Sequence, residues 1–272
     1  MKLLEIDRDG FVINTGSREK VQPEFSNLVS LLQKSCISTF GSYLVSLYVR
    51  GSVSVGQAYL GTSDLDAIIL LKHEPTQEDK LKSRKIATTL EKAHPEVSMV
   101  DLTITSVDKL LYDSEWKNLR VNMKTQSALL YGKDTVQHLT GIKPGKELAL
   151  MMFGGALNEL AELHQIFKKN ETERTYQGEK RSTQFWCVWS CRVILRSSMG
   201  ILMVDEPMFS PDLTTCKEMF SQKNPEFAND MNQVLDWAFN PPSDATQISA
   251  FLDSFLPKYN ELWNKVKNQE LL

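Results

Sequence analysis

The sequence predicts an α+β protein: a mixed sheet with flanking helices in residues 1–140, followed by an all-α bundle in 141–272. Two patterns carry this expectation. Residues 43–105 alternate apolar runs with one helix-like stretch, "SYLVSLYVRGS", "DAIILL", a charged segment and "VSMVDLTITS", which reads as strands covered by helices. Beyond "LLYGKDT" and the breakers of "GIKPGK", strand signals nearly vanish and helical spacing takes over.

Taken in order, "KLLEIDRDGFVIN" reads as a small hairpin turned at Asp9-Gly10. "EFSNLVSLLQKSCISTF" places Phe25, Leu28, Leu31, Leu32 and Ile37 at helical spacing. Three strands follow, with a charged helix over 77–92 between the second and third. In the second half helices are expected over 146–169, 181–200, 212–222, 225–238 and 244–268. The polar run "KKNETERTYQGEKRS" reads as a solvated loop between the first two.

Composition bounds the function. With 42% hydrophobic and 24% charged residues the chain is of ordinary globular type, and its net charge of −3 argues against nucleic acid as a partner. The opening "MKLLEIDRDG" is broken by charges, unlike a secretory signal, and no apolar run approaches the ~18 residues of a membrane span. Cys36, Cys187, Cys191 and Cys216 lack a metal-binding spacing and read as reduced core thiols, so a cytoplasmic protein is expected.

The chemistry concentrates in "LYVRGSVSVGQAYLGTSDLDAIILL". Asp64 and Asp66 open an apolar strand two residues apart, so their carboxylates share a face. Two like charges so placed raise each other's pKa unless a cation intervenes, and hard oxygen donors suit Mg²⁺. Asp101 interrupts the next apolar strand and supplies a third carboxylate. Upstream, Gly51 allows close backbone approach to a phosphate, while the Ser52 hydroxyl and the amides after it offer donors. Arg50 alternates out of its strand and reads either as a phosphate neutraliser or as an exposed strand arginine.

Gly-Ser at a strand end, Asp64 twelve residues past Ser52, and an acid inside the following strand together resemble the nucleotidyltransferase superfamily with the polymerase-beta-like fold. The chain is most similar to the streptomycin/spectinomycin (aminoglycoside) adenylyltransferases. "VDLTIT" looks like their "LEVTIV" strand. "SALLYGKDTVQHLTGIKPGKELALMM" is similar to the segment closing their N-terminal domain, and "QFWCVWSCRVILRSSMGILM" resembles their arginine-bearing helix.

The resemblance implies transfer of AMP from ATP, with Mg²⁺, to a hydroxyl of a small acceptor in a cleft between two domains, releasing pyrophosphate. Asp64, Asp66 and Asp101 would hold the metal, with Asp101 also available as base on the acceptor hydroxyl. Gly51, Ser52 and Ser63 would contact the nucleotide. Arg192, on the helix beside Trp186 and Trp189, would pair with the triphosphate or form a structural ion pair. Alternatives are nucleotide transfer to a protein or RNA, as in toxin–antitoxin-type relatives, and a degenerate nucleotide-binding or regulatory protein. Three departures bear on this. Asp101 replaces a glutamate, Ser182 stands near an acidic position, and Asp212 follows Ser-Pro where the family carries lysine, the nearest lysine being Lys217.

Overall fold

The computed structural model describes residues 2–170, 175–176 and 179–268 and divides into two compact units. One comprises Ile13–Ile142; the other joins Met1–Val12 to Lys143–Leu272. Residues 2–12, expected in the N-terminal domain, thus group with the helices of the second half.

In the first unit, α1 (Pro23–Phe40) opens on proline, whose missing N–H costs nothing at a helix start. Phe25, Leu28, Val29, Leu32, Cys36 and Phe40 form its buried stripe. It leads to β1 (Leu44–Arg50) and then β2 (Leu65–Leu71), an antiparallel pair. Then α2 (Gln77–Ala93) begins on a capping box in which Thr76 and Asp79 exchange hydrogen bonds. It carries the chain to β3 (Val100–Ser106), parallel to β2, as a crossover must. The βαβ expectation therefore holds for β2–α2–β3, whereas β1 runs the other way.

Two helices and a strand between 107 and 132 escape the sequence reading: α3 (Val107–Tyr112), α4 (Lys117–Gln126) and β4 (Ser127–Gly132). Buried residues of α4 are Val121, Met123 and Thr125, spaced by two, a pattern that does not advertise a helix. The finished sheet has the order β3-β2-β1-β4, with β4 antiparallel to β1.

Strand parity sorts the sheet into two faces. Leu47, Val49, Leu65, Ala67, Ile69 and Val100 join α1 and α2 in one core. Tyr48, Ile68 and Leu70 pack on the other face with Leu110, Met123, Val136 and Leu139. Tyr48, 1% exposed, accepts the Thr135 amide at 2.6 Å and donates to Asp134 Oδ1 at 3.0 Å.

In the second unit the N-terminal segment turns at Gly10 (φ +85°), with Asp7 Oδ1 accepting the amides of Asp9 and Phe11 and a single antiparallel bridge from Ile6 to Val12. The Leu4 amide bonds to Phe209 O and the Lys2 amide to Thr215 Oγ1, tying this turn to the helical unit. Helices follow as α5 (Lys146–Phe153), α6 (Ala156–Lys168), α7 (Thr183–Met203), α8 (Leu213–Lys223), α9 (Ala228–Phe239) and α10 (Ala245–Asn268). The single helix expected over 146–169 is split at Gly154-Gly155. Much of the expected polar loop lies outside the described residues; within it β5 (Thr175–Tyr176) pairs with β6 (Glu179–Lys180). The centre is α7, where Ser197 and Ser198 hydrogen-bond buried Tyr259 and Gly200 fits against Phe153 and Trp263.

All four cysteines are buried free thiols, and burial pushes Cys36 and Cys216 up to about 12, out of the nucleophilic range. Among the described residues no helix is long and apolar enough to cross a membrane.

Candidate active site

The three predicted acids belong to the four-stranded unit. Pairing aligns Asp66 with Asp101 across the parallel β2–β3 ladder and with Arg50 across the antiparallel β1–β2 ladder. Arg50 in turn faces Ser127 of β4. One row therefore crosses the whole sheet: Asp101, Asp66, Arg50, Ser127. Parity puts this row on the face of Tyr48 and Ile68, opposite α1 and α2. Asp64 lies just before β2, separated from Asp66 by the fully buried Leu65.

The register is set by the loop ahead of β2. Ser63 donates its amide to Tyr59 O and accepts the Tyr59 amide on its hydroxyl, each at 2.9 Å. Ser98 donates to Ser63 O through its amide and to Thr62 O through its hydroxyl, and Leu65 N reaches Met99 O. These bonds lock 59–65 onto the approach to β3, so Asp66 must meet Asp101. The Ser63 hydroxyl, expected as a nucleotide contact, serves this turn and is buried.

Gly51 ends β1 with φ at +70°, a left-handed conformation that favours glycine. A Cβ there would come within 2.9 Å of Asp66 Oδ2, so glycine also removes a side chain from the carboxylate. The amides of Ser54 and Val55 turn back onto Gly51 O, and that of Gln57 onto Ser52 O. Those donors, expected among the phosphate contacts, are committed to shaping the loop. Ser52 is half-buried at its start.

Arg50 is the residue whose role the sequence left open. Its Nη2 lies 3.0 Å from Asp66 Oδ1, with the two side chains only 19% and 15% exposed. It is neither an exposed strand arginine nor isolated from the acids. Its Nε is buried without a hydrogen-bond partner. Its parity with Tyr48 was legible in the sequence, but the pairing with Asp66 depends on the β1–β2 register, which the structure supplies.

Among the described residues no three His, Cys, Asp or Glu side chains gather into a metal-holding group. The positive charge beside Asp66 is a guanidinium. The donor chemistry nevertheless suits a hard divalent cation: carboxylate oxygens on two paired strand positions, a third two residues away, and a glycine beside Asp66 Oδ2.

The remaining predicted residues fall in the helical unit. Arg192 sits midway along α7 and is half-buried. Trp186 and Trp237 are core residues at 6% exposure, while Trp189 donates its indole N–H to Glu159 at 2.6 Å. The two substituted positions are helix caps. Ser182 accepts the Phe185 amide at the start of α7, and Asp212 accepts the Thr215 amide at the start of α8.

The architecture that carries this mixed sheet of order β3-β2-β1-β4 and the helices after it is shared with a solved adenyltransferase. The crystal structure of spectinomycin adenyltransferase AAD(9) from Enterococcus faecialis with ATP and spectinomycin superposes with a TM-score of 0.55 at 16% identity. The alignment covers 89% of this chain and 99% of that one, and at such identity it establishes shared fold. A crystal structure of a toxin-antitoxin with AMP-PNP aligns at a TM-score of 0.29 and 17% identity over 55% of this chain and 99% of that one, a level that carries no argument. No family model matches the chain, and no curated protein matches it.

Proposed function

We propose that this chain is a Mg²⁺-dependent nucleotidyltransferase that moves AMP from ATP to a hydroxyl of a small, aminoglycoside-like acceptor. The observation that carries the reading is the row in which Asp66 and Asp101 occupy paired positions on parallel strands, on a fold shared with an adenyltransferase. That neighbour was crystallised with ATP and spectinomycin, which supports the choice of nucleotide and acceptor class.

In this reading Asp64, Asp66 and Asp101 hold Mg²⁺, which when bound supplies charge neutralisation for the phosphates. Gly51 admits the nucleotide close to the backbone, and the Ser52 hydroxyl donates to a phosphate oxygen. A carboxylate oxygen of Asp101 accepts the proton of the acceptor hydroxyl. The acceptor oxygen attacks the α-phosphorus in line; its O–P bond forms as the bond to the β-phosphate bridge oxygen breaks, and pyrophosphate leaves with the electron pair. The protein contributes mainly position and charge.

The test is pyrophosphate release from ATP, GTP, CTP and UTP with Mg²⁺ against a panel of aminoglycosides and aminocyclitols, with Asp66→Ala alongside. Acceptor-dependent release from ATP that disappears in the variant supports the reading; its absence with every acceptor counts against it. A second reading, a nucleotide-binding protein without transfer, is favoured by the Arg50–Asp66 ion pair, since a guanidinium can neutralise that carboxylate permanently. It predicts nucleotide binding with no release.

A further inference from the structure

We propose that Arg50 is a positioning residue that couples the two ligands of the site: it holds Asp66 until a polyphosphate offers its guanidinium another anion, so the divalent cation enters with the nucleotide. The inference rests on the transferase reading of this site and adds an order to its assembly.

Three observations carry it. First, Arg50 and Asp66 are register partners as well as an ion pair at 3.0 Å, so the strands themselves hold the contact. Second, both side chains are largely removed from water. Pulling them apart without a replacement would leave partly buried charge uncompensated, which is costly. The exchange is favourable only if each ion finds a new partner at the same time. Third, Arg50 has donor capacity in hand. Its Nε is buried without an acceptor, and guanidinium is the side chain whose planar fork matches a phosphate.

The other side of Asp66 completes the logic. Asp101 is its partner on β3, at a strand spacing of about 4.8 Å. Drawing Arg50 away takes its positive charge from a carboxylate that neighbours a second one, which strengthens the attraction of the pair for a cation. With Arg50 in place, Asp66 is neutralised and a cation arriving alone must displace a guanidinium. Gly51, next in the chain, puts no Cβ against Asp66 Oδ2.

The test uses Mn²⁺ as a paramagnetic probe, titrated into the full chain and followed by loss of the free-ion electron paramagnetic signal, with and without a non-hydrolysable ATP analogue. Calorimetry follows the analogue in parallel. In the native protein Mn²⁺ alone should bind weakly, tightening about tenfold or more when the analogue is present. Arg50→Gln should bind Mn²⁺ alone about tenfold more tightly than the native chain, bind the analogue several-fold more weakly, and lose most of the coupling. Arg50→Lys keeps the charge without the fork and should fall between the two. It serves as the test if the glutamine variant does not fold.

Native-like Mn²⁺ binding in the Arg50 variants, while the native chain still binds nucleotide and cation, would overturn the coupling and leave the transferase reading standing. Cation and nucleotide binding independently in the native chain would do the same. A native chain that binds neither would overturn both.

Discussion

Arg50 of β1 and Asp66 of β2 stand opposite each other across an antiparallel pair and meet as an ion pair at 3.0 Å, one strand away from Asp101. The carboxylate that the sequence assigns to a metal is thus neutralised by a residue of its own sheet. Removing one partner leaves the other partly buried and uncompensated, so Asp66→Ala should lower stability by roughly 1–3 kcal/mol in urea denaturation. The double variant Arg50→Met/Asp66→Leu should recover most of that loss, because neither charge is then stranded. Equal or greater instability in the double variant would show that the pair itself contributes the stability.

Gly51→Ala tests the turn and the carboxylate together. The left-handed φ of +70° costs an alanine about 1–2 kcal/mol, and its Cβ would meet Asp66 Oδ2 at 2.9 Å. Reduced denaturation midpoint together with weakened nucleotide binding is expected. Gly41→Ala, at φ +50° with no atom within 4 Å of its Cβ, should show the backbone cost alone.

Tyr48→Phe removes the hydroxyl that accepts the buried Thr135 amide and donates to Asp134. Leaving that amide unsatisfied should cost about 1–3 kcal/mol of stability. Burial raises the phenols of Tyr48 and Tyr259 to about 12, so ultraviolet titration should show two tyrosines ionising late in the native chain and one fewer in the variant.

His164 predicts a pH dependence with a definite sign. Burial, then the nearby Lys168 charge, lowers its pKa below the ordinary value, opposed by Asp253 on α10. The unfolded chain therefore binds the proton first as pH falls through about 6.5. This penalty is absent above that range and grows below it until the folded-state pKa is reached. His164→Gln, which keeps a polar contact to Ser249 within reach, should flatten the stability profile between pH 7 and 5 as measured by denaturant midpoints. Below that window Asp253, held low chiefly by its hydrogen bond from Lys168, loses its own contribution in both proteins.

The sequence made the central strands legible because they are apolar, short and bounded by Gly-Ser and Ser-Asp, and the helices of the second half because their apolar spacing is long and regular. It missed α4, whose buried residues fall at every second position, and β4, a short strand that closes the sheet edge. The acids were visible as residue types at a spacing. Their partner was hidden because Arg50 and Asp66 are sixteen positions apart, and only the hairpin register reveals that they face each other. The same register gives Ser63 a structural task that a motif cannot disclose: its hydroxyl closes the turn that sets the pairing.

The most direct measurement is the mass of the acceptor after incubation with ATP, Mg²⁺ and the native chain, compared with the same reaction using Asp66→Asn. An aminocyclitol or aminoglycoside heavier by one AMP group is expected, formed with pyrophosphate, at a rate about 100-fold or more lower in the variant. An unmodified acceptor panel would contradict the transferase reading, as would a modified acceptor formed equally fast by Asp66→Asn.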